Sequence, residues 1–309
     1  MSGAVLRVVT FTNLFPSAVQ PTHGLFVLER MRRVAAVAGV SVEVVAPVPA
    51  VPWPLRRAAD RRLTRTAARE LVAGLTVHHP RYRHWPGFVR RQADAMARGA
   101  LPCLRELRQR GPFVLDAHYL WPDGVAAAML ARALDVPFTL TARGTDANVL
   151  ADDPVVALRI RTAAHAAFRC FAVSDALAER FAQIAGLARE QVVTARNGVD
   201  LERFAPGDVA AARRALALPA SGRIVLGVGR LVPGKHFASA ARVVRTLPAD
   251  VVLALVGDGP ERAQIQAAGG ERVRFLGTLP PEQVAVAYRA ADVLVLPSER
   301  EGWPNVVTE

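Results

Sequence analysis

Short apolar runs recur along the chain at 5–10, 42–46, 113–117, 138–141, 170–173 and 192–195, and again at 224–228, 251–256, 273–276 and 293–296. They are nearly continuous rather than alternating, the pattern of strands buried on both faces of a parallel sheet. Stretches with helical spacing separate most of them, so the pattern predicts α/β architecture with doubly wound parallel sheets. Between the two groups, residues 196–207 are rich in turn formers (Asn197-Gly198, Asp200, Pro206-Gly207), and the alternation then starts afresh. Two domains of shared architecture are therefore expected, 1–200 and 201–309, with no short-period repeat.

Length and composition agree with this and add little: 309 residues, 51% hydrophobic, can bury ample core in two domains. The two cysteines, Cys103 and Cys170, form no metal-ligand pattern and read as small core residues. No stretch reaches the roughly 18 uninterrupted apolar residues of a membrane span, and residues 1–10 are too short and wrongly flanked for a signal peptide. A cytoplasmic protein is the expectation.

Charge changes the picture more. Of the net +12, an excess of +10 falls between Pro54 and Arg110, beside Val51, Trp53, Leu55, Trp85 and Phe88. Basic helices flanked by aromatic and apolar residues suit an anionic membrane surface, nucleic acid is a second possible partner, and a solvated arginine-rich face is the third reading. Nothing in the segment resembles a nucleic-acid-binding motif.

The chemistry begins at 224–235, IVLGVGRLVPGK, where a buried strand ends in glycines and two cations, Arg230 and Lys235. Open α/β sheets bind ligands outside the carboxyl ends of their strands, and a diphosphate suits an Arg fork, a Lys point charge and the N-terminus of the following helix. Two familiar motifs fail here. Gly229-x4-Gly234-Lys235 has His236 where a phosphate loop needs Ser or Thr and Pro233 where it needs an amide; Gly227-x-Gly229 lacks the third glycine of a dinucleotide fingerprint. A strand, a turn and two solvated cations is the plainer alternative. Further on, Glu301 lies on the loop after the last apolar run, and Pro304 opens a helix that carries Glu309.

Glu301-x7-Glu309, with Gly229-Arg230-Leu231-x3-Lys235 about seventy residues upstream and Val256-Gly257-Asp258-Gly259-Pro260 between them, resembles the retaining nucleotide-sugar glycosyltransferases of family 4. The resemblance covers nearly the whole chain. It implies the GT-B fold: two Rossmann-like domains facing across a cleft, the second incomplete, with further strand and helix units and a bracing helix expected beyond Glu309. It also implies transfer of a sugar from a nucleoside diphosphate sugar to the hydroxyl of a carbohydrate or lipid-linked acceptor, in surface polysaccharide or glycolipid synthesis. Arg230 and Lys235 would neutralise the leaving β-phosphate without a metal or other cofactor, Glu301 would hold the sugar, and Glu309 the ribose.

In the first half, the resemblance assigns the long loop 12–24 and Gly24 to donor phosphates and acceptor, although Gly24 also reads as a plain helix N-cap. It places His118 near the reacting sugar, followed by the turn Trp121-Pro122-Asp123-Gly124. Asp146 belongs to a Gly-Thr-Asp element in which Arg143 stands where a His is usual. Retention by front-face displacement is the favoured chemistry, since no opposed carboxylate pair is evident. Two alternatives stay open: a non-catalytic nucleotide-binding module, and an epimerase or phosphorylase on the same fold. Partners are then a nucleotide sugar and an acceptor, with no nucleic acid, and the location is cytoplasmic with peripheral docking on the inner face of the membrane as an option.

Overall fold

The computed structural model describes residues 5–55 and 57–309. Residues 1–4, and Arg56 of the basic segment, lie outside the described residues. The chain divides into two compact units, Met1–Asn197 and Gly198–Glu309, so the junction falls inside the turn-rich passage.

The first unit is an eight-stranded sheet in the order β10-β9-β8-β7-β1-β2-β5-β4. Its apolar runs form β1 (Leu6–Phe11), β2 (Val40–Val45), β7 (Val114–His118), β8 (Phe138–Ala142), β9 (Arg169–Ala172) and β10 (Val192–Thr194). All pair in parallel. Between β2 and β7 lie β3 (Val48–Ala50), β4 (Arg69–Val72), β5 (Leu75–His78) and β6 (Arg81–Arg83). β5 joins β2 in parallel, β4 turns back antiparallel on β5, and β3 pairs with β6 as a separate two-stranded sheet.

These strands correct the reading of 54–110 as basic helices. Only α2 (Ala58–Leu63) and α3 (Gln92–Gln109) are helical there among the described residues, apart from one 3₁₀ turn. β4 and β5 pair antiparallel from Arg69 opposite His78 to Val72 opposite Leu75, with Leu75 and Val77 buried and Arg69 and Leu71 facing solvent.

Helices cover both faces of the sheet: α1 (Leu25–Ala35), α3, α4 (Val125–Leu134), α5 (Thr145–Asn148), α6 (Pro154–Ala166) and α7 (Asp175–Ala185). In α1, Val27, Leu28 and Met31 share one face and pack on Val42, Val44, Leu75 and Val77. Burying those three side chains contributes roughly 5–9 kcal/mol before conformational entropy is subtracted. Cys170 is buried, but Cys103 on α3 is only half-buried, which corrects its assignment to the core.

The second unit is a four-stranded parallel sheet, β13-β12-β11-β14. Its strands are β11 (Arg223–Val228), β12 (Val251–Val256), β13 (Val273–Gly277) and β14 (Val293–Leu294). Every residue of β12 is buried. Val251, Leu253 and Leu255 face α9 (Phe237–Thr246) and α10 (Arg262–Gly269), whereas Val252, Ala254 and Val256 face α8 (Val209–Ala215) and α11 (Pro281–Ala290). The period-2 geometry of a strand makes that division.

The buried Arg213 of α8 donates to the carbonyls of Ala290, Ala220 and Gly222 and to Asp292 at 2.9 Å, tying α8 to the base of the sheet. The last helix, α12 (Asn305–Thr308), is a single turn, so Glu309 caps its end instead of being carried within it. No helix among the described residues is long and apolar enough to cross a membrane.

Candidate functional site

Strand order locates a candidate site in each unit. In the first, the chain winds outward from β1 to β2 and then returns to build β7 to β10 on the other side, so β1 and β7 flank the switch point. In the second, β11, β12 and β13 run one way and β14 returns to the other edge of β11. Crevices form outside the carboxyl ends of strands at such points.

At the first switch point, Thr12 follows β1 and donates its hydroxyl to the carbonyl of His118, the last residue of β7, at 3.0 Å. The next amide, of Asn13, donates to Asp123. Gly24 begins α1 with φ 70°, and a Cβ there would lie 2.2 Å from the carbonyl oxygen of Leu14. Glycine at this position permits the close approach of the chain's own loop.

His118 is fully buried. Its Nδ1 lies 2.7 Å from the Arg143 guanidinium, which can only donate, so the neutral ring carries its proton on Nε2. Nε2 stands 2.9 Å from Asp116 Oδ2 without the alignment of a hydrogen bond. Burial, only partly opposed by the Asp116 carboxylate, lowers the imidazole to about 4. Burial opposes ionisation of Asp116 too, but the imidazole, the Thr139 hydroxyl at 2.6 Å and the Arg30 guanidinium outweigh it and hold the carboxyl below the ordinary range.

Arg143 donates to Asn197 at 2.8 Å, stacks over Phe26 at 5.3 Å, and is brought down to about 9 by burial and by Arg30. It remains a cation at neutral pH. Asp146 is fully buried and accepts from the amides of Leu120 and Gly144, both at 2.7 Å, and of Arg143 at 3.1 Å. It holds together the two loops that end β7 and β8, and burial raises its pKa.

A pH dependence follows. The folded state holds His118 below its unfolded value of about 6.5, so the unfolded chain takes up the proton first; the contribution is present above that value and is lost as pH falls toward 4. Between pH 7 and pH 5 it should cost about 2 kcal/mol of stability, read by urea unfolding, and His118→Gln should lack that part of the slope. Equal slopes would contradict the buried neutral imidazole.

Two further functional candidates at this site are given no role by the sequence motifs. Asp123, fully buried, has its carboxyl pushed well above the ordinary range by burial, and its Oδ2 has no hydrogen-bond partner. Tyr119 adopts φ 91°, uncommon for an aromatic residue and a mark of stored strain at functional loops. The turn motif brought Asp123 into view, but nothing in the sequence paired it with Asn13.

At the second switch point, β11 ends at Val228, and the Gly229–Leu231 turn carries Arg230 into solvent, where it makes no ion pair among the described residues. Gly227 makes room for the Phe237 ring, since a Cβ at that position would lie 2.6 Å from it; its role is packing of α9 rather than ligand approach. Gly257 and Gly259 press on the same turn: Cβ atoms there would lie 2.0 Å from Gly229 O and 2.3 Å from Leu231 O. Leu231 accepts from the Glu261 amide and donates to Asp258 O, both at 3.0 Å, so the turn is clamped on two sides.

Lys235, closing a 3₁₀ turn, reaches Glu301 on the loop after β14, with Nζ 2.5 Å from Oε1. That pair spans the switch point. Glu309 instead receives the Tyr288 hydroxyl of α11 at 3.2 Å, and burial raises its carboxyl. The structure therefore brings Lys235 and Glu301 together beside the turn that bears Arg230, and gives Glu309 a different partner. Among the described residues, no three His, Cys, Asp or Glu side chains converge as metal ligands.

Comparison with known proteins matches both units. The family profile described as Glycosyltransferase Family 4 matches residues 25–203, and that described as Glycosyl transferases group 1 matches 208–309. A Bacillus subtilis (strain 168) protein, provisionally assigned as the teichuronic acid biosynthesis glycosyltransferase TuaC, is 29% identical over 98% of this chain and 78% of its own length. Among solved structures, sucrose-phosphate synthase from Thermosynechococcus elongatus superposes with a TM-score of 0.72 at 17% identity, covering 98% of this chain and 77% of that one. Anabaena HepE in complex with UDP and glucose gives 0.64 at 18% identity, covering 94% and 73%.

Proposed function

Because the chain belongs to glycosyltransferase family 4 and has the GT-B fold, we propose that it moves a sugar from a nucleoside diphosphate sugar to an acceptor hydroxyl, with retention at the anomeric carbon. The observation that carries this reading is the cationic turn at the carboxyl end of β11, where Lys235 meets Glu301 across the strand-order switch. Two cations at such a point suit a diphosphate.

In this reading the bond from the anomeric carbon to the β-phosphate oxygen breaks, and its electron pair leaves with the nucleoside diphosphate. Arg230 and Lys235 neutralise the charge that grows there, a preorganised electrostatic contribution that needs no metal. Glu301 holds the sugar hydroxyls as the ring becomes oxocarbenium-like, and Glu309 binds the ribose. The acceptor oxygen attacks from the face the leaving group vacates, and its proton passes to the departing phosphate oxygen. HepE, solved with UDP and glucose, supports a uridine nucleotide as the first donor to try.

The name of TuaC supports a cell-surface polymer as the product class. The excess of arginine between Trp53 and Arg110, with Trp53 82% exposed, supports an acceptor met at an anionic membrane surface and hence a cytoplasmic, peripheral location. Incubation with UDP- and GDP-hexoses and candidate acceptors, with mass analysis of products and NMR of the new anomeric centre, tests the reading. Release of free sugar alone, or inversion, would count against it.

A further inference from the structure

The basic segment of the first unit contains a formed groove. After β6 the chain passes Trp85 and Phe88 and enters α3, leaving a cavity of about 780 Å³ lined by Arg81, Arg83, Arg91 and Arg98 with the two aromatics at its exposed side. The groove is rigidly backed. Gly99 of α3 lies against β6 so closely that a Cβ would sit 2.5 Å from Arg81 O, and the buried Tyr82 receives a hydrogen bond from Gln92 of α3 at 3.2 Å.

Its charges are only partly compensated. Arg81 donates to the carbonyls of Leu63, Thr64 and Thr66, but Arg83, Arg91 and Arg98 are exposed and make no hydrogen bond or ion pair among the described residues. The nearby acids hydrogen-bond elsewhere, Asp94 with Arg159 at 2.6 Å and Glu70 with His79 at 2.7 Å, and Asp94 also feels a groove cation, Arg98. Like charges gathered on one concave surface repel, and their complement is a ligand with several anionic oxygens; planar guanidinium forks fit phosphate.

The aromatics narrow the choice. Trp85 is 49% and Phe88 58% exposed, which costs apolar hydration in water and is relieved at a membrane interface, where Trp is favoured. A soluble phosphate would satisfy the arginines and leave Trp85 and Phe88 wet. We propose that this groove seats the phosphate head of an anionic lipid, with Trp85 and Phe88 entering the acyl boundary beside it. The proposal deepens the membrane part of the function given above, and commits it to one groove instead of a diffuse basic face.

The test is sedimentation of the full chain with vesicles of phosphatidylcholine alone or with phosphatidylglycerol, at several salt concentrations. Wild type is expected to bind only the anionic vesicles and to weaken with salt. The variant Arg83→Ala/Arg91→Ala/Arg98→Ala should bind at least about tenfold more weakly than Arg62→Ala/Arg65→Ala/Arg105→Ala, which removes equal charge from exposed positions outside the groove. Trp85→Ala should reduce quenching of tryptophan fluorescence by brominated lipid. Equal loss in the two triple variants would overturn the groove while keeping membrane docking. Failure of wild type to bind anionic vesicles would overturn both, and saturable binding of inorganic phosphate in the groove without vesicle binding would assign it to a soluble anion.

Discussion

Replacing Lys235 or Arg230 with alanine is expected to slow sugar transfer by about 10²–10³-fold, because each removes a charged donor from the departing β-phosphate at a cost of roughly 2–4 kcal/mol in transition-state stabilisation. Fold stability should hardly follow. The Lys235–Glu301 pair is partly exposed, at 27% and 25%, so its loss costs at most about 1 kcal/mol after solvent screening. Arg230 is exposed and supports no packing. Steady-state kinetics beside urea unfolding therefore separate the two effects. Unchanged kcat/KM in both variants would return the turn to a strand end with solvated cations.

Gly257→Ala is expected to destabilise the second unit by about 3–5 kcal/mol. Its φ of 126° is open to few residues but glycine, and the added Cβ would lie 2.0 Å from the carbonyl oxygen of Gly229, a backbone atom that cannot swing aside. The turn that presents Arg230 would have to move. Gly277→Ala provides the control: its φ is 71°, yet nothing lies within 4 Å of the new atom, so only backbone strain of about 1 kcal/mol is expected. A Gly257→Ala midpoint in urea close to that of Gly277→Ala would show that the clamp yields.

The strands of both sheets were legible wherever burial on two faces made the apolar run continuous, as at Val251–Val256. β4, β5 and β6 were not, because Arg69-Glu70-Leu71-Val72, Leu75-Thr76-Val77-His78 and Arg81-Tyr82-Arg83 are short, charged and buried on one side at most. A short alternation among arginines is easily read as a basic helix. Glycine positions were visible, but what approaches them was not: Leu14 meets Gly24, Phe237 meets Gly227 and Gly229 meets Gly257, all through tertiary packing.

The candidate residues divide in the same way. Arg230, Lys235 and Glu301 follow strand ends, so strand assignment placed them and the structure joined Lys235 to Glu301. The network of His118, Asp116, Arg143 and Asp123 depends on β7 lying between β1 and β8. No local pattern specifies that neighbourhood, nor the burial that keeps His118 neutral and raises Asp123.

Hydrogen exchange of the full chain with and without saturating UDP or GDP tests the central claim most directly. If the carboxyl end of β11 receives the donor diphosphate, one of these nucleotides should slow exchange of the amides from Gly229 to His236 and of the loop bearing Glu301. Saturable nucleotide binding that leaves those amides unchanged would contradict it.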